Sequence, residues 1–331
     1  MESVKSELDK PIELLKKLVE IPSPSGEEEE IVGFLYDYIK NLGFKVVKDG
    51  LNLVVNPAEF FVVTHVDTVS IKRPFSFDGK FAYGTGVCDA KGSIVSILLV
   101  LERIDELNFG IALLSDEEES GEGSKHFASK YKPRMAVVME PTSLTIANKH
   151  YGSLEVEVIV KGKTSHGSMP EYGINAIEKS FELFGVLKLI STKHSILKIE
   201  GGSDEYVTPD TCKIKIDFVF PPEVDVERLK RQVFGLISKY GDIKIVEEYG
   251  GFKSGEVVKR LEKAIKLAGL DLKYSAMPSW TDAINLRLEG CDAVVWGPGE
   301  LQYCHTEMEK INPREIMEAS GVLVKLNGVL S

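Results

Sequence analysis

Phe109-Gly110-Ile111-Ala112-Leu113-Leu114 followed by Ser115-Asp116-Glu117-Glu118-Glu119-Ser120-Gly121 frames the reading of the whole chain. The first part reads as a buried strand, and three consecutive glutamates follow just past its C-terminal end. In open α/β sheets that end is where ligand-binding and catalytic groups gather. Adjacent carboxylates repel and raise one another's pKa unless something positive offsets them. A charge run is by default a solvated acidic turn, and alone this stretch fits that reading equally well.

Working outward, the same pattern recurs. Phe60-Phe61-Val62-Val63-Thr64 is a second apolar run, and it delivers His65-Val66-Asp67. Residues two apart on extended chain share a face, and a carboxylate on the far nitrogen of a metal-bound imidazole fixes its tautomer. Gly84-Thr85-Gly86-Val87-Cys88-Asp89-Ala90-Lys91-Gly92 carries a carboxylate into an apolar helix from Ser93 to Leu101. The competing reading of Asp89 is a helix N-cap. Met135 to Met139 ends in Glu140-Pro141-Thr142, and Val294-Val295-Trp296 runs through Gly297-Pro298-Gly299 to Cys304-His305-Thr306, with Glu309 downstream. Five segments thus supply two histidines and three or four carboxylates. That nitrogen-and-oxygen set suits a pair of divalent zinc-type ions. It disfavours calcium, for which imidazole is a poor ligand.

With these motifs in view, the chain resembles the di-zinc family of acetylornithine deacetylases, succinyl-diaminopimelate desuccinylases, aminoacylases and glutamate carboxypeptidases. The matching stretches are Thr64-His65-Val66-Asp67-Thr68-Val69, Cys88-Asp89-Ala90-Lys91-Gly92, Asp116-Glu117-Glu118, Met139-Glu140-Pro141-Thr142, Ser165-His166-Gly167-Ser168-Met169-Pro170, and Gly297-Pro298-Gly299 with His305-Thr306. They occur in the family's order and span most of the chain. Asp67-Thr68-Val69, Asp89-Ala90-Lys91-Gly92 and the short chain look most like the lysine-biosynthesis deacylases, which release lysine or ornithine from an acylated or carrier-linked precursor.

The resemblance implies two Zn2+ per chain, with Co2+ able to substitute, and a role for each residue. Asp89 bridges the ions, His65 and Glu140 complete one, and Glu118 and His305 complete the other. Glu117 is the general base, Asp67 orients His65, and His166 donates to the oxyanion, typically from the partner subunit of a homodimer. Glu119 is expected in solvent, and His126, His150 and His194 receive no role. Cys88 and Cys304 directly precede two expected ligands; neighbours on extended backbone point oppositely, so both thiols read as packing groups. The family's second lid strand usually carries an arginine, two residues beyond an Asp, that grips a substrate carboxylate. Here Asp217 is followed by Phe218 and Val219. The asparagine usual before the Val-x-Pro turn is also absent, with Glu205-Tyr206 preceding Val207-Thr208-Pro209. Either another cation such as Arg287 or Lys253 substitutes, or the substrate lacks a standard α-carboxylate.

At 331 residues two domains are the natural expectation. The expected ligands fall between His65 and Glu140 and resume only at His305, so the intervening stretch reads as an insertion. Leu154 to Val160 and Lys213 to Phe218 alternate as half-buried strands, while Asn175 to Ile190 and Val226 to Tyr240 have helical periodicity. The expected fold is an α/β class zinc-peptidase-like α/β/α sandwich with an inserted α+β lid/dimerisation domain. Its parts are residues 1–152 (catalytic), 153–249 (lid) and 250–331 (catalytic). Glu256 to Ala268 and Pro313 to Leu330 read as returning helices, and the Glu27 to Glu30 run as an acidic first turn favoured by the helix dipole.

Apolar content of 43% and charged content of 27% are ordinary for a globular protein. A net charge of −11 argues against a nucleic-acid groove, which needs a basic face. Met1 to Lys5 is polar, so no signal peptide is expected, and no apolar stretch approaches the ~20 residues that span a bilayer. Four cysteines without Cys-x-x-Cys pairing read as reduced thiols of a cytoplasmic protein. The expected function is zinc-dependent hydrolysis of an N-acyl or carrier-protein-linked amino acid such as lysine or ornithine. The alternatives are a metallo-dipeptidase or aminopeptidase on the same centre, or a metal-binding sensor that has lost catalysis. The last is disfavoured because Glu117 stands beside all five ligands.

Overall fold

The computed structural model describes residues 7–331; the polar stretch Met1 to Lys5 lies outside the described residues. The chain divides into two compact units. The first runs up to Asn148 and resumes with Ser254–Met277 and Thr281–Ser331, while Lys149–Lys253 and Pro278–Trp280 form the second. The crossings fall at 148/149 and 253/254, against the ligand-based cut at 152/153 and 249/250. Backbone pairing accounts for the offset. Phe252 and Lys253 pair antiparallel with His150 and Lys149, so the two crossing strands are zipped together a few residues outside the cut.

A mixed sheet forms the centre of the first unit. Its strands lie in the order Val46–Asp49, Asn52–Val55, Gly110–Leu114, Phe60–His65, Met135–Val138, Asp292–Val295 and Ile146–His150. The strands from Gly110 to Asp292 in this order run parallel, which requires crossover connections and cover on both faces. Accordingly every residue of Phe60–His65 is buried. Val62 joins the core built with Leu98, Leu261 and Leu323 of the helices Lys91–Leu101, Glu256–Leu267 and Pro313–Leu330. On the other face the Phe61 ring meets Phe127 of the helix Glu122–Tyr131 edge-on, with centroids 5.0 Å apart.

Register positions the site. His65 pairs with Leu114 and Val63 with Val138, so three neighbouring parallel strands end at one level. The Val66 N–H donates to Leu114 O at 2.7 Å and the Met139 N–H to Val63 O at 2.7 Å, carrying the alignment one residue further. The glutamates after Leu114, the imidazole of His65 and Glu140 therefore emerge side by side.

The second unit is a four-stranded antiparallel sheet, ordered Lys193–Gly201, Thr211–Phe220, Gly152–Lys161 and Gly241–Tyr249. Two helices, Ala176–Leu187 and Val226–Ile237, pack on one face through Leu183, Leu187, Leu229 and Val233. Each helix starts on a capping side chain: Asn175 accepts from the Ile177 and Glu178 N–H groups, and Asp225 from those of Glu227 and Arg228. Lys193–Gly201 is an edge strand, bulged between Ile196 and Lys198, with Ile196, Leu197 and Ile199 exposed. Among the described residues no helix is long and apolar enough to cross a membrane.

Candidate metal centre

His65 is fully buried at the end of its strand. Its Nδ1 lies 3.0 Å from the main-chain O of Asp67, and its Nε2 lies 2.9 Å from Asp89 Oδ1. The second oxygen of the same carboxylate, Asp89 Oδ2, lies 3.3 Å from His305 Nε2. One aspartate therefore faces two imidazoles, one with each oxygen. Glu140 Oε2 is 3.9 Å from His65 Nε2, and Glu118 Oε1 is 2.9 Å from His305 Nε2.

Three groupings have ligand atoms all within 4.8 Å of one another: His65/Asp89/Glu140, Asp89/Glu118/His305 and His65/Glu117/Glu118. The first two share only Asp89. The donor set fits a pair of divalent zinc-type ions on the structure's own terms. It is all nitrogen and oxygen, its carboxylates are packed against each other, and Glu140 Oε1 is buried without a hydrogen-bond partner. Neither Cys88 nor Cys304 joins a grouping. Both are free, and each thiol lies 3.6 Å from the Glu300 carbonyl. Nor does Asp89 cap a helix, because the helix Lys91–Leu101 has Ala90 at its N-cap and no side-chain cap.

The protons follow from this crowding. Burial opposes a charged His65, but the carboxylates of Glu117, Asp67, Asp89 and Glu140 outweigh it and raise the imidazole well above its ordinary range. Hydrogen bonds to Asp89 and Glu118 raise His305 to about 10. Asp89 is held low: burial works against ionisation, and the two imidazoles overcome it. Burial pushes Glu117 well up, with Glu140, Asp282 and Glu118 adding to it and His65 opposing.

Both imidazoles are raised above their ordinary range, and any proton they carry must leave for the nitrogens to ligate. Metal uptake is expected to expel protons, and affinity to rise with pH through neutrality. Calorimetric titration in two buffers of different ionisation enthalpy would measure the release. A buffer-independent heat would contradict it.

Asp67 makes contacts beyond His65. Its carboxylate is 3.4 Å from His65 Nδ1 at Oδ1. It also accepts the Glu117 N–H at 3.1 Å, the Glu118 N–H at 3.0 Å and the Ser25 hydroxyl at 2.7 Å. The backbone of the glutamate pair therefore hangs on Asp67. Two buried acids escaped the sequence reading. Glu28, placed there in an acidic first turn, is fully buried and accepts the Asp116 N–H at 3.1 Å. Asp282 is fully buried, and burial pushes it up to about 7, with Asp67 and Asp116 adding and Ser124 and His65 opposing. Local pattern carries no signal for either.

His166 belongs to the second unit and is exposed. Its Nδ1 lies 2.8 Å from Ser168 Oγ and accepts the Ser168 N–H at 3.3 Å. A main-chain N–H can only donate, so Nδ1 is engaged as an acceptor and Nε2 is the nitrogen left to donate.

Residues 61–327 match the profile of peptidase family M20/M25/M40. The chain belongs to this family. It is a hydrolase of amide bonds with a family-typical mixed α/β fold. Among curated relatives, it is similar to the LysW-lysine/LysW-ornithine hydrolase of Sulfurisphaera tokodaii, 26% identical over 93% of this chain and 92% of the relative. The enzyme of the same name from Saccharolobus solfataricus is 26% identical over 92% and 91%. Among solved structures, a tripeptidase from Staphylococcus aureus superposes with a TM-score of 0.83 at 21% identity, covering 98% of both chains. The M20 family metallo-carboxypeptidase Sso-CP2 from Sulfolobus solfataricus gives 0.76 at 16% identity, over 97% of this chain and 99% of the other.

Proposed function

We propose that this M20 hydrolase uses two zinc ions to remove an acyl or carrier group from the nitrogen of a basic amino acid, lysine or ornithine. The observation that carries the reading is Asp89, whose two oxygens face the imidazoles of two otherwise separate ligand sets. His65 and Glu140 would hold one ion, Glu118 and His305 the other, with Asp89 between them. Bound there, such ions polarise a scissile carbonyl and lower the pKa of water to about 7.

The chain's own groups supply the proton traffic. Glu117 is the general base, taking a proton from water and returning it to the departing amine. Asp67 fixes the Glu117 and Glu118 backbone by its two hydrogen bonds. His166, whose Nδ1 is engaged by Ser168, is the donor for the oxyanion through Nε2.

Two further observations support the substrate and assembly. A cavity of about 280 Å³ in the second unit, lined by Val219, is bordered by Glu155, Asp217 and Glu247 with Trp280. Glu155 there is paired with Lys215 at 2.7 Å, and the choice of lysine or ornithine follows the names of the relatives. The second unit would serve as lid and dimerisation domain. The edge strand Lys193–Gly201, with its exposed apolar residues, supports a homodimer.

The test is a hydrolysis screen of acetyl-, succinyl- and γ-glutamyl-linked lysine and ornithine, with zinc or cobalt added. Release of the free amino acid from at least one is expected. Activity only on peptides with a free α-amino group would replace this reading by an aminopeptidase or dipeptidase.

A further inference from the structure

Glu309 stands in the loop between His305 and the short strand Lys310–Ile311, and its side chain is buried at 3% exposure. The carboxylate accepts three main-chain N–H groups, all from the turn that presents Asp89. Oε2 takes Gly86 at 2.9 Å, and Oε1 takes Cys88 at 2.9 Å and Asp89 itself at 3.2 Å. The turn has little freedom otherwise. Gly86 sits at φ +74°, and a Cβ there would fall 2.5 Å from Thr68 Cγ2. Glu309 is tied down in turn. Its carbonyl accepts Arg73 Nη1 at 3.1 Å, and Lys310–Ile311 pairs with Tyr83 and Ala82, just ahead of the turn.

Three N–H groups in a buried turn need an acceptor. A carboxylate, which only accepts and has two oxygens, suits them, whereas an amide would turn its NH2 on at least one of them. The same loop carries His305 four residues earlier. One side chain therefore fixes the turn that holds the shared ligand and anchors it to the loop that holds a ligand of the second set.

We propose that Glu309 is a positioning residue of the metal centre, setting the direction of the Asp89 carboxylate and locking it in register with His305. The proposal rests on the binuclear reading above. Groups that orient ligands typically affect metal affinity by about 10–100-fold when changed.

The experiment compares wild type with Glu309→Gln, loading each with Zn2+ by competition against a chromogenic chelator and with Co2+ for visible spectra. Glu309→Gln is expected to bind Zn2+ about 10–100-fold more weakly and to show shifted Co2+ bands. A purely structural role would lower the melting temperature of the metal-free protein without moving the bands. Glu309→Asp, which keeps a carboxylate on a shorter stem, serves as the second variant should Gln not fold; it is expected to shift the bands as well. Wild-type affinity and spectra in the folded variant would overturn the proposal while leaving the binuclear centre in place. Failure of wild type to bind either ion would instead overturn the centre, and this inference with it.

Discussion

Glu117→Gln is expected to lower turnover by about 10²–10⁴-fold, the worth of a positioned general base, while the metal content stays at that of wild type. The paired substitution Glu118→Gln is expected to weaken metal binding itself. The contrast is demanding because the two glutamates are neighbours hung from one carboxylate, Asp67. The structure groups His65 with both of them, yet only Glu118 contacts His305. Elemental analysis and steady-state kinetics on both variants decide the matter. Loss of a metal from Glu117→Gln, with Glu118→Gln retaining its full complement, would exchange the two roles.

His166→Ala is expected to cost roughly 10²–10³ in turnover, the usual effect of deleting one oxyanion donor, with metal binding intact. His166 lies in the unit that carries none of the proposed ligands, within a loop where Ser168 holds its Nδ1. The reading of His166 as a donor to the partner's site has a sharper test in subunit exchange. Mixing His166→Ala with Glu117→Ala gives heterodimers in which one site inherits both defects. The other pairs an intact Glu117 with an intact His166. Activity should return in proportion to the heterodimer fraction. Confirmed heterodimers that remain as inactive as either parent would place His166 in its own chain's site or outside the chemistry.

Much of the histidine and carboxylate cluster that the structure gathers could be read from local sequence, for a physical reason. Each residue of the cluster follows a short apolar run or a glycine-rich turn, and a parallel sheet buried on both faces brings such strand ends to one level. His65, Glu117, Glu118 and Glu140 come together in this way. What the pattern did not carry was set by approach in three dimensions. Glu28 sits in a run of acids that looks like a helix start, and only contact with Asp116 shows it to be buried. Asp282 precedes an ordinary short helix and carries no local mark of its burial. Asp67 was legible as a neighbour of His65, but its hold on the Glu117 and Glu118 amides depends on how two loops meet. The unit crossings shifted outward because strand pairing at His150 and Phe252 extends past the last ligand-based landmark.

The register that gathers the strand ends also has a bearing on biosynthesis. His65, Asp89 and Glu140 all precede the inserted unit in the chain. His305 emerges only after the whole inserted unit has been made. At about 5–20 residues per second this delay is on the order of ten seconds. The nascent polypeptide thus carries His65, Asp89 and Glu140 before Glu309, which holds the Asp89 turn, has been made, so the turn gains this anchor only late in synthesis.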